Sequence, residues 1–278
     1  MSSNNRESAF LPTTEGLPRI SVSAVTQAGA KRVLRRDHCA CLSARTRRSK
    51  LSVPTLHQEP QDRTAPGWEQ TIALMESLAT EGARIFEPSA SIPWEEWIKV
   101  ITLPSEIATL KTVEEIRLYG SHLRRLPPEI GALSALVDLD IYTSYSLHWL
   151  PYEVVRCPKL CRSRMSTRAL YGNFKTKLPF PRLGRPIEAL MPATCSVCDR
   201  PFGDRAPQLH WITLRVATDV VPLLIHSCSR ECMLSVPTPP AGYFQRPHKG
   251  GGGVGVPDLG DPVFDRSLLR IRVPPDGG

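Results

Sequence analysis

The sequence predicts an α/β fold: short parallel strands stacked repeat upon repeat behind a helical N-terminal cap, then a small α+β module organised by metal. Three observations predict it. The phrase L-P-x-x-I/V-x-x-L/C-x-x-L/V, followed by a strand-like L-x-L, begins at Leu103-Pro104, Leu126-Pro127 and Leu150-Pro151, so the periods are 23 and 24 residues. That lies within the roughly 20–29 residues of one supersecondary repeat. A stretch with helical apolar spacing precedes the first copy, and two cysteine pairs follow the last one.

Aligned on their prolines, the copies give apolar columns: Ile107, Ile130, Val154; Leu110, Leu133, Cys157; Val113, Leu136, Leu160; Ile116, Leu139, Ser163; Leu118, Ile141, Met165. Side chains alternate faces along a strand, so these columns point inward and the residues between them point outward. The outward rows are Glu115, Asp138, Arg162; Arg117, Asp140, Arg164; and Tyr119, Tyr142, Ser166. Arginines flanking an aspartate neutralise one another across a sheet, which is the ordinary behaviour of a solvated face. Tyr119 and Tyr142, with Tyr145 beyond them, form an aromatic ridge of the kind enriched where proteins touch proteins.

Leu126-Pro-Pro-Glu-Ile-Gly-Ala-Leu133 resembles the consensus of leucine-rich repeats of the L-P-x-E-I-G-x-L variety. The resemblance implies a short curved solenoid. It departs from the commonest form where asparagine normally bonds the backbone between turns: Ser121, Ser144 and Arg168 stand there, and serine is able to do part of that work. The second copy carries one extra residue before Leu147, which predicts a bulge over 143–146.

Three repeats are about the minimum that bury a continuous core, and the ends need capping. Trp68 to Ala83 reads as an amphipathic helix with Ile72, Met75, Leu78 and Ala79 on one face and Gly82 as its stop. A second helix is expected next, with Ser91 as cap, Pro93 in its first turn, Glu95 and Glu96 at its positive end, and Trp94, Trp97, Ile98 and Ile101 covering the first repeat.

The second module rests on Cys195-Ser-Val-Cys198, 29 intervening residues, and Cys228-Ser-Arg-Glu-Cys232. Four thiolates suit tetrahedral zinc. Between the pairs, 211–216 and 220–225 read as two strands turning near Ala217 to Asp219. The second pair has i,i+4 spacing, which would aim both sulfurs at one metal from the first turn of a helix. A knuckle, a hairpin and a metal-binding helix start resemble a treble-clef zinc finger, although C-x3-C replaces the commoner C-x2-C and His226 lies close enough to substitute for one cysteine. Disulfides are the competing reading; with no secretory sequence ahead of them, a metal is favoured. Four cysteines close the coordination shell, so the expected zinc is structural and not catalytic. Cys157 reads as a core residue, and His38-Cys39-Ala40-Cys41 as incidental.

The divisions expected are a disordered basic region over 1–65, cap and repeats over 66–183, the four-cysteine module over 190–248 and a Gly/Pro-rich flexible tail over 249–278. Residues 166–173 and 177–183 are read as a closing turn and a Pro-rich connector. Between Lys31 and Lys50 eight basic residues face one acidic residue, Asp37. Such a segment attracts phosphates or acidic surfaces, yet it interleaves no aromatics for base stacking. The lysine before Gly250 precedes its glycines, which excludes a phosphate-binding P-loop. Net charge is +8 and hydrophobic residues make up 41% of 278, enough for a core. No apolar run approaches the roughly 18 residues a membrane helix needs. A cytoplasmic protein is expected.

The order of cap, repeats and four-cysteine module resembles bacterial leucine-rich repeat domain-containing proteins over about Trp68 to His248, a resemblance that brings no catalytic residues. No H-E-x-x-H, G-x-S-x-G or open metal triad is present, so no enzyme is expected. The function expected is a non-enzymatic interaction scaffold that binds a protein partner through Tyr119, Tyr142, Arg117, Asp140 and Arg164, with structural zinc held by Cys195, Cys198, Cys228 and Cys232. The alternative is a nucleic-acid-associated regulator using the zinc module and the basic N-terminal region.

Overall fold

The computed structural model describes residues 54–173, 178–184 and 191–254. The basic stretch between Lys31 and Lys50 and the Cys39/Cys41 pair lie outside the described residues. The chain is α/β, with a four-stranded parallel sheet and a three-stranded mixed sheet.

Helix α1, Pro66–Glu81, opens the cap with proline in its first turn and closes on Gly82, whose left-handed backbone lets its N–H reach Ala79. Trp68, Thr71 and Met75 are its buried side, at the three- and four-residue spacing that keeps side chains on one helix face. The second predicted helix is not formed as read. Two single turns take its place, α2 (Pro88–Ser91) and α3 (Trp94–Trp97), and Ser91 ends the first instead of capping the second. Pro93 explains the break, because its ring forces the preceding Ile92 into extended backbone, φ −102° and ψ 129°. Trp97 and Val100 are buried there, while Ile98 and Ile101 are half-buried.

The parallel sheet has the order β1 (Ile85–Phe86), β2 (Glu115–Arg117), β3 (Asp138–Ile141), β5 (Arg162–Met165). Its register pairs Glu115 with Asp138 and Asp138 with Arg162, and likewise Arg117 with Asp140 and Asp140 with Arg164, the columns of the sequence alignment. One hydrogen-bond device recurs at each step. The carbonyls of Arg84, Glu114 and Val137 each accept two successive N–H groups of the next strand, at 2.8–3.1 Å. Each L-P phrase opens a 3-10 turn, over Ser105–Thr109, Pro128–Ala132 and Tyr152–Arg156, with an extended proline before it. The prolines set this entry: φ is fixed near the value a turn needs and no amide donor is lost to the preceding strand.

Every inward column position from Ile107 to Leu139 is buried; Leu160 and Ser163, at the far edge, are half-buried. Each buried Leu or Ile contributes on the order of 1.5–3 kcal/mol. The serine substitution for asparagine also works as expected. Ser121 and Ser144 are buried with their hydroxyls 2.8 Å apart, and Ser144 donates to the Leu118 carbonyl at 2.9 Å. In the third copy Ser166, not Arg168, continues the contact by accepting the Thr143 N–H at 2.7 Å. Thr143 itself sits at φ 59°, where the extra residue of the second copy is absorbed.

The third L-P dipeptide leaves the pattern. Leu150–Pro151 forms strand β4 and pairs in parallel with β7 (Asp219–Ser227), which pairs antiparallel with β6 (Gln208–Val216). Ile212, Leu214, Leu223 and Ile225 of this hairpin join the same buried cluster as the repeat columns. A second cluster packs Trp149, Tyr171, Phe180 and Trp211 ring to ring, with centroids 5.8–6.4 Å apart. It draws in the Pro-rich stretch read as a connector: Trp211 donates its indole N–H to Pro181 at 2.9 Å, and Gly251 donates to Phe180 at 3.1 Å. His248 exchanges two backbone bonds with Trp211. At the other end Gln61 accepts the Ile101 N–H at 2.8 Å, and Leu56 and His57 are buried. No helix among the described residues is long and apolar enough to cross a membrane.

Candidate functional site

Cys195 and Cys198 lie on a tight turn. The Thr194–Pro201 bridge closes it, Asp199 at φ 61° reverses the chain, and the Cys195 carbonyl accepts the Asp199 N–H at 3.0 Å. Cys228 follows directly on β7. Cys232 lies in the one-turn helix α4, Arg230–Leu234, whose N-cap Ser229 accepts the Cys232 N–H at 3.2 Å. The pair therefore does not share a helix turn, as its spacing had suggested: Cys228 comes from the strand end and Cys232 from the helix start.

These elements bring the four sulfurs within 4.8 Å of one another. The Cys198–Cys228 and Cys228–Cys232 sulfurs are both 3.6 Å apart. A disulfide needs about 2.05 Å, so none is formed, and all four cysteines are free. Metal–sulfur bonds of about 2.3 Å in a tetrahedron require sulfurs about 3.8 Å apart, so the geometry fits a metal ion. Two backbone amides, from Val197 and Cys228, approach the Cys195 sulfur at 3.4 Å, in the manner that supports bound thiolates. The Arg200 guanidinium, 3.4 Å from Cys198, holds that thiol down at about 6, while desolvation and the neighbouring sulfurs push Cys228 up to about 12. A cation in the centre would favour the thiolate form of its ligands.

His226 does not join this cluster. It is buried, its backbone N–H and carbonyl both bind Ser196, and its ring faces the other way, into the wall of a cavity. Sequence spacing could not show this: strand alternation would put His226 and Cys228, two residues apart, on one face, but β7 ends at Ser227 and Cys228 lies beyond it. The residue the sequence did not reveal is Arg156, from the third 3-10 turn. It donates to the carbonyls of Cys195 and Ser196 at 3.0 and 2.8 Å and pairs with Asp199 at 3.0 Å, clamping the cysteine turn onto the repeats. Its acceptors are mostly backbone carbonyls, which leave no pattern in a sequence. Cys157 is buried as expected; its thiol donates to the Ile130 carbonyl at 3.2 Å, and burial pushes its pKa up to about 11.

On the outer face of the parallel sheet the charged rows pair among themselves. Arg117 bridges Glu115 at 2.8 Å and Glu87 at 3.1 Å, Arg162 meets Asp138 at 3.0 Å and Arg164 meets Asp140 at 3.4 Å. Hydrogen bonds donated to both carboxylates raise the Arg117 pKa further above its ordinary value. Beyond this row the ladder continues, with Leu118 donating to Asp140 at 2.7 Å and Gly120 to Tyr142 at 2.8 Å. It holds Tyr119 and Tyr142 side by side, 54% and 43% exposed, with ring centroids 6.1 Å apart. No protein-family model matches the chain, and no curated protein matches it.

Proposed function

We propose that the chain is a non-enzymatic interaction scaffold of the leucine-rich repeat kind, in which a short solenoid presents its strand face to a protein partner and a treble-clef-like module holds structural zinc. The observation that carries this reading is the tyrosine pair. Two large amphipathic rings stand exposed side by side on a hydrogen-bonded backbone ladder, so binding has only their side-chain freedom left to restrict. The surrounding arginines and carboxylates are satisfied by one another, so they serve as a polar rim and leave the rings as anchors. Zinc is the metal assigned because four thiolates in a closed shell suit its preference and leave no open position for a substrate water. A nucleic-acid partner gains no support on this face, since Arg117, Arg162 and Arg164 are each engaged by a carboxylate.

The test combines Tyr119→Ala with Tyr142→Ala. Photo-crosslinking from a probe placed at Arg164 identifies a partner, and the double variant is expected to weaken its binding by 2 kcal/mol or more, roughly thirtyfold, with an unchanged melting temperature. Equal binding by the double variant would move the interface elsewhere; a large fall in melting temperature would make the rings part of the core.

A further inference from the structure

One cavity, of about 410 Å³, lies beneath the cap, walled by α1, by the openings of the first two 3-10 turns, by β4 and by the His226 end of β7. The size falls in the range of small-molecule sites, about 300–1,000 Å³. Its wall holds an unusual set of nitrogens. Arg125 is 4% exposed and donates from Nη2 to the Glu59 carbonyl at 2.7 Å, but its Nε and Nη1 have no partner among the described residues. Trp149 and His226 line the same space, and the indole N–H of the one and Nε2 of the other are buried without partners among the described residues. Buried polar groups in folded proteins are nearly always satisfied, so three on one cavity wall point to something that satisfies them.

The Glu59 carboxylate is not that group. It is already taken by Arg124 at 2.9 Å and by His57 at 3.3 Å. Burial lowers the Arg125 pKa below its ordinary value, which marks a desolvated charge whose counterion is incomplete. Nε and Nη1 lie on different edges of the guanidinium, so each offers a single charge-assisted bond of the kind a carboxylate accepts. Trp68, Ile72, Leu103 and Leu126 give the wall an apolar part that suits a hydrocarbon body. Glu106 and Glu129 also line it and disfavour a multiply charged anion such as phosphate.

We propose that this cavity is a binding site for a small organic monocarboxylate with an aromatic or branched apolar body, its carboxylate held by Arg125 with the Trp149 N–H beside it. The site is separate from the strand face and from the four sulfurs, and His226 is the one wall residue on the strand that leads to Cys228.

The experiment titrates phenylacetate into the full chain and follows tryptophan fluorescence and melting temperature, with phenylacetamide and inorganic phosphate as comparisons. Phenylacetate is expected to give a saturable fluorescence change and a rise in melting temperature; the amide and phosphate are expected to give neither. Arg125→Met keeps the apolar stem and removes the charge, so it should abolish the response without lowering the melting temperature of the ligand-free protein. Should that variant fail to fold, Trp149→Phe, which removes only the indole N–H, is expected to weaken phenylacetate binding by about tenfold, the worth of one hydrogen bond to a charged group. No saturable response in the unaltered protein, an equal response to the amide, or undiminished binding by whichever variant folds would overturn the proposal.

Discussion

At the scale of the residue, the four-sulfur cluster depends on a side chain remote from it in sequence. Arg156 lies 39 residues before Cys195, yet its guanidinium fixes two carbonyls of the cysteine turn and the Asp199 carboxylate that shapes the turn. Groups that orient ligands typically affect metal affinity by about 10–100-fold, so Arg156→Ala should weaken zinc binding by that order in competition with a chromophoric chelator. Unaltered affinity would show that the turn holds its shape unaided. The cysteines themselves were legible because metal ligands must be particular residue types at short spacings. Arg156 was not, because what it recognises is backbone. The tyrosines were legible as outward positions for a third reason: a period of two leaves no choice of face once the inward leucines are placed.

At the scale of the element, the repeat is a device in which proline starts a turn, an isoleucine or valine locks it, and a strand residue pair joins the next copy. All of these are written in side chains, so the strands and their register were readable. Elements fixed mainly by backbone partners were not. Strand β1 is two residues long and is recognisable only by the bonds from Arg84 to the next strand. Strand β4 uses a leucine and a proline that the repeat also claims, and nothing local says that β7 is its neighbour. The cap illustrates a different limit: Pro93 separates α2 from α3, and helical spacing through Ile98 and Ile101 did not carry α3 past Trp97. It also depends on a close approach: a Cβ at Gly67 would lie 2.3 Å from the Glu96 carbonyl oxygen. Alanine at that point would gain helix propensity of about 1 kcal/mol, but it would drive α1 away from α3. Gly67→Ala should therefore destabilise the protein by about 1–3 kcal/mol, read as a lowered urea midpoint. A midpoint equal to or above that of the parent would mean that the two cap segments do not pack this closely.

At the scale of the whole molecule, the repeats and the cysteine hairpin share one buried cluster and one sheet, so stability at either end is felt at the other. The second, aromatic cluster makes that stability sensitive to acid. Burial pushes both His210 and His248 down to about 4, against 6.5 for the unburied side chain. The unfolded chain therefore takes up protons first as pH falls below about 6.5, and stability is lost progressively until about 4, while above 6.5 neither ring contributes a pH dependence. Burial pushes His226 down to about 4 as well, so His210→Gln combined with His248→Gln should reduce the fall in urea midpoint between these limits without removing it; an unchanged slope would assign it to other groups. A metal that binds the four sulfurs only in the folded chain would add its binding free energy to folding. The most direct measurement is native mass spectrometry of the chain purified without added metal, repeated with Cys228→Ser and Cys232→Ser together. One zinc ion per chain, lost in the double variant, is the predicted result. A metal-free parent, or a variant that keeps the ion, would contradict it.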